Sequence, residues 1–98
     1  MTRLLLSAST ALLLTVGMVW AGPLEDATAA YTRGDYPTVF KILQPLAAQG
    51  NAGAQYRLGG LYEMGHGVPQ DYVMAREWYE KAAAQGNAGA QFNLGGLY

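Results

Sequence analysis

Ninety-eight residues with a formal charge of −1, one histidine and no cysteine allow at most one small domain. Six basic side chains against seven acidic ones cannot track a phosphate backbone, which argues against nucleic acid as a partner. The lack of cysteine removes both a disulfide framework and an acylation site for a lipoprotein anchor.

The chain opens with MTRLLLSASTALLLTVGMVWA, Met1 to Ala21. Arg3 gives a short basic start, Leu4 to Trp20 is mostly apolar, and Val19-Trp20-Ala21 precedes Gly22. That order predicts a secretory signal peptide cleaved after Ala21. The competing reading is an uncleaved anchor. A span needs about twenty apolar residues, and this run is short and broken by Ser7, Ser9 and Thr10. Loss of Arg3 would move the formal charge from −1 to −2 for Gly22 to Tyr98. An exported domain without disulfides must be held by helix stacking alone, which suits a bacterial periplasm. The expected localisation is therefore periplasmic or secreted.

Leu24 to Arg33 is predicted as a short helix, with Pro23 just ahead of it and Glu25 and Asp26 in its first turn. Gly34 breaks it, and Asp35 can cap the next helix. Tyr36, Val39, Phe40, Leu43, Leu46 and Ala47 trace one face of that second helix. Pro45 predicts a kink or a break near Leu43. Gly50 supplies a left-handed cap and Asn51 an immediate new N-cap, giving a two-residue antiparallel connection.

The third helix, Ala52 to Glu63, places Ala54, Leu58, Leu61 and Tyr62 together. Gly59 and Gly60 each cost about 1 kcal/mol there relative to alanine. The pair recurs as Gly95-Gly96, which predicts close helix packing at both sites. Met64 to Gln70 is a loop, and Asp71 caps a fourth helix, Tyr72 to Gln85. Tyr72, Ala75, Trp78, Tyr79 and Ala82 line one side of it, and Glu77 and Lys81 stand four apart in the favourable order. A fifth helix runs from Ala88 to the end at Tyr98.

Over all of this lies a repeat. NAGAQYRLGGLY at Asn51 to Tyr62 returns as NAGAQFNLGGLY at Asn87 to Tyr98, an offset of 36 residues with ten of twelve positions identical. Self-similarity at that period signals a solenoid. The stretch Ala54 to Gln91 carries A-x-x-x-L-G-x-L-Y, then G-x-G-V-x-x-D-Y, then A-x-x-W-Y-x-K-A-A-x-x-G-N. It resembles the Sel-one-like repeat, a branch of the tetratricopeptide-like α-solenoids. The resemblance divides 22–98 into a degenerate repeat at 22–50, a full repeat at 51–86 and a half repeat at 87–98. The degenerate unit is recognised by Asp35-Tyr36 matching Asp71-Tyr72, and Ala47 to Gly50 matching Ala83 to Gly86.

The resemblance implies an all-α fold: a short right-handed superhelix of antiparallel helix pairs, about two and a half repeats long. It also implies a scaffold for protein or peptide contacts, with no catalysis and no cofactor. First helices of each pair would line the concave face, placing Arg57 and Asn93 at equivalent positions there. They are variable polar residues in a near-identical stretch, where partner specificity could reside; plain solvent exposure is the alternative.

Catalytic groupings are not evident in the sequence. His66 sits between two glycines with no second histidine, and Gly22 to Tyr98 contains no serine. Glu77 and Glu80 fit the solvated side of an amphipathic helix. No strand precedes the glycines of LGGLYEMGHG, so a phosphate cradle is unsupported. The aromatic set at Tyr62, Tyr72, Trp78, Tyr79 and Tyr98 is expected in the inter-helix core.

The sequence stops halfway through a repeat, leaving Phe92, Leu94 and Leu97 without a covering helix. Truncation of a longer repeat protein is the leading expectation, beside self-association or completion by a partner through Phe92, Leu97 and Tyr98. The expected function is an exported, non-enzymatic helical scaffold binding a protein or peptide in the bacterial envelope. The alternatives are an envelope hydrolase or cell-wall glycan-binding factor, and a fragment of a longer protein. A polar capping helix fused after Tyr98 should raise the melting temperature, because a terminal repeat cannot bury its apolar side alone; differential scanning calorimetry checks this.

Overall fold

The computed structural model describes residues 22–98; the predicted signal segment, 1–21, lies outside the described residues. Five helices follow one another: α1 (Pro23–Thr32), α2 (Tyr36–Ala48), α3 (Ala52–Met64), α4 (Tyr72–Ala84) and α5 (Ala88–Leu97). No strand occurs among the described residues. The predicted boundaries hold to within a residue or two. Each helix packs mainly on its neighbour in sequence, the contact pattern of a repeat array.

The turns explain that order. After α2, Gly50 adopts φ +99°, its N–H donates to the Ala47 carbonyl, and Asn51 N–H reaches back to Leu46. That pair of bonds is a Schellman motif, which satisfies the free carbonyls of a helix end. Asn51 then caps α3 at once, its side chain accepting from Ala54 N–H at 2.8 Å. Gly86 (φ +91°) and Asn87 repeat every bond after α4, with Asn87 accepting from Ala90 N–H at 2.8 Å. Gly34 and Asp35 do the same after α1, with a longer cap of 3.4 Å to Thr38 N–H. One residue ends a helix and the next begins another, so the chain reverses sharply.

The core is built from small residues. Ala27, Ala30, Val39, Leu43, Ala47, Ala54, Leu58 and Leu61 form one buried cluster; Ala75, Tyr79, Ala82 and Ala90 form a second. Gln55 is the buried polar exception, donating to the Ala47 carbonyl at 3.1 Å and accepting from Gln85 Nε2 at 2.9 Å. Its repeat counterpart Gln91 donates to Ala83 at 3.2 Å. These glutamines tie each new helix to the end of the one before it, a device that hydrophobic periodicity does not reveal.

Several expectations are corrected. Pro45 does not break α2, which runs on to Ala48. It sits in the final turn with its side exposed to solvent, and its own carbonyl still accepts from Gln49 N–H at 3.1 Å. Tyr72 and Tyr98 are not core, at 56% and 76% exposed, while Tyr62 and Trp78 are half-buried. Lys81 makes no ion pair with Glu77; its ammonium lies 5.7 Å from the Trp78 ring centroid, within cation–π range.

The paired glycines also divide. A Cβ on Gly59 would lie 2.7 Å from the Tyr79 ring and 3.2 Å from the Ala75 carbonyl, so α4 packs on bare backbone there. A Cβ on Gly60 would meet only the Tyr79 hydroxyl, at 3.7 Å. Gly95 and Gly96 have no such neighbour within 4 Å. Close packing accounts for Gly59 and not for Gly60. Gly59→Ala should therefore destabilise the fold by about 1–3 kcal/mol through overpacking. Gly60→Ala should stabilise it by about 0.5–1 kcal/mol through helix propensity. Urea unfolding of the two variants reads both signs.

Candidate functional site

A groove of about 520 Å³ runs over the exposed side of α3, open to solvent and flanked by α1 on one side and by Tyr79 and Asn93 on the other. Its floor is apolar and small: Ala27, Val39, Leu43, Gly60 and Leu61. Hydroxyls and charges stand around that floor, from Thr28, Tyr31 and Thr32 on α1 to Tyr56, Arg57 and Glu63 on α3.

Two hydrogen-bonded sets hold the rim. On the α1 side, Arg57 Nη1 donates to the Leu24 carbonyl at 3.1 Å and to Thr28 Oγ1 at 2.8 Å. On the other side, the Tyr79 hydroxyl donates to Glu63 Oε1 at 2.7 Å and accepts from Asn93 Nδ2 at 3.2 Å. Three helices thereby meet at one oxygen. Burial, and then the bond to the Glu63 carboxylate, hold the Tyr79 phenol well above its ordinary pKa of 10.0. Both act by disfavouring a phenolate next to Glu63 in a site shielded from water.

Of the residues singled out from sequence, Arg57 and Asn93 both line the groove, on opposite sides of α3. Arg57 is exposed and Asn93 half-buried, and each is bonded to a neighbouring helix, Arg57 to α1 and Asn93 to α4. Phe92, Leu97 and Tyr98 do not line it. Phe92 is 83% exposed, Leu97 is half-buried against the second core cluster, and the Tyr98 hydroxyl donates to Glu80.

His66 is more constrained than its place between two glycines suggested. Its ring stacks on Tyr36 with centroids 4.2 Å apart and planes 4° from parallel. Its Nδ1 lies 3.1 Å from the Tyr31 hydroxyl, within hydrogen-bond distance. Gly67, at φ +81°, allows that approach, since a Cβ there would come within 2.9 Å of the Tyr36 backbone. The loop is thus pinned to α1 and α2. His66 stands with these tyrosines, and Glu80 accepts a bond from the Tyr98 hydroxyl. Among the described residues no three His, Asp or Glu side chains come together to hold a metal. No helix among the described residues is long and apolar enough to cross a membrane.

Sequence reasoning missed Glu63 and the rim role of Tyr79. The available signal was an acidic residue six positions beyond Arg57 on one helix, together with a tyrosine whose hydroxyl needs a partner once buried.

Residues 52–87 match the Sel1 repeat family model. That segment spans α3 and α4 with the loop between them, and ends at the N-cap of α5. That match is consistent with a Sel1-like repeat protein of the tetratricopeptide-like superfamily. A comparison with curated proteins returns no match.

The Tyr79 shift has a sign that can be measured. The folded state holds the phenolic proton more tightly than the unfolded chain, so its contribution is complete below pH 10 and declines as pH rises above it. Unfolding free energy measured in urea from pH 9 to pH 11 should fall more steeply for the native chain than for Tyr79→Phe.

Proposed function

Because the chain carries a Sel1 repeat, and Sel1 repeats are generally protein–protein interaction modules, we propose that it is a non-catalytic scaffold that holds a protein segment or peptide in the groove over α3. We place it in the bacterial envelope, after removal of Met1 to Ala21, as a short right-handed solenoid. The basic start, apolar run and Ala21 junction support export.

The observation that carries the reading is Gly60. A glycine inside a helix weakens it, and no neighbour here requires the lack of a side chain. Its effect is to lower the floor of the groove between two polar walls. A concave surface with an apolar base and a few convergent polar groups is the usual form of a binding site.

Peptides selected from a random display library on the native chain should bind Gly60→Trp at least tenfold more weakly, with helical circular dichroism unchanged. Equal binding to both, or no selection at all, would overturn the groove as the site. In a Gram-negative host, a C-terminally tagged chain should be recovered in the periplasmic fraction, starting at Gly22.

A further inference from the structure

The two charges of the groove have no ionic partners. Arg57 is exposed, and one of its terminal nitrogens makes both recorded bonds, each to an uncharged oxygen. No carboxylate pairs with it among the described residues. Glu63 is half-buried and accepts a bond from an uncharged phenol; no cation pairs with it among the described residues. Nor do the two pair with each other. Six residues apart, they stand about 120° from one another around the same helix with Gly60 midway, Arg57 toward α1 and Glu63 toward Tyr79 and Asn93.

We propose that the groove binds an extended peptide segment carrying an acidic and a basic side chain about three residues apart, with two apolar residues between them. The inference rests on the peptide-binding reading above and names the chemistry of its ligand. Six residues of helix rise by about 9 Å between Arg57 and Glu63. An extended chain covers that distance in about three residues at roughly 3.3 Å each. The ligand's carboxylate meets Arg57, whose guanidinium is already fixed by Leu24 and Thr28, so little freedom is lost on binding. Its ammonium or guanidinium meets the free oxygen of Glu63. The two residues between them lie over Gly60 and Leu61, where bare backbone and apolar floor suit apolar side chains. This arrangement also gives the ligand a direction, with its acidic residue on the α1 side.

The probe is a blocked hexapeptide, acetyl-Gly-Glu-Leu-Ala-Lys-Gly-amide, with a second in which Glu and Lys are both replaced by Gln. By fluorescence or calorimetric titration at low salt, the charged peptide should bind the native chain at least tenfold more tightly. Arg57→Gln and Glu63→Gln should each remove most of that preference; the amide of Glu63→Gln still accepts from Tyr79, which keeps the fold. Equal binding of charged and neutral peptides overturns the charge assignment and leaves the groove reading standing. A preference that survives both Gln variants overturns the assignment to these residues. Failure of either peptide to bind overturns this inference, and the display selection then decides the groove reading independently.

Discussion

Tyr79 can lie against α3 only because residue 59 has no side chain. The ring is fully buried, and the backbone of Gly59 is the surface it rests on. From that position its hydroxyl reaches Glu63 on α3 and Asn93 on α5, so a single side chain on α4 links three helices. Tyr56 packs beside it, with ring centroids 5.9 Å apart, and in turn lies under Gly89 of α5. Glycine under tyrosine is thus used twice, at 59 and at 89, to bring successive helices close. In a core otherwise made mostly of alanine, such contacts replace the large interdigitating side chains of a bigger domain.

The same contact that stabilises the array also shapes its surface. Tyr79 is wall as well as core: its ring closes the groove beside α5, and its hydroxyl holds Glu63 in one orientation. On the far side, Arg57 is held by α1 rather than by anything in its own repeat. The groove therefore draws on both helix pairs and on α5 as well. No single repeat contains it, which is the physical reason that repeat proteins bind through stacks and not through units.

Much of the fold could be read from sequence because it is written in local bonds. Asp35, Asn51, Asp71 and Asn87 are caps that depend only on residues two or three positions away. Gly34, Gly50 and Gly86 end helices for equally local reasons. What was misread depends on a neighbouring helix. Pro45 is the exception: the sequence already marked the end of α2 at Gly50, and the helix runs through the proline to Ala48. Gly60 looked like Gly59 because both stand next to each other, and only α4 tells them apart. His66 looked unconstrained because Tyr31 and Tyr36 lie thirty or more positions earlier. For the site, Arg57 and Asn93 were legible as the differing positions of a repeat. Glu63 was not, since its meaning comes from Tyr79, sixteen residues on.

Gly59 and Gly60 together show how one helix serves two demands. Both weaken α3 by helix propensity, yet only the first is compensated by packing, through Tyr79 and Ala75. The second remains an uncompensated loss, and it lies under the groove rather than under a helix. Stability alone would place alanine at position 60, since the space for a methyl group is already there. Glycine at position 60, on the floor between a bonded guanidinium and a bonded carboxylate, is the feature that the proposed ligand backbone would use.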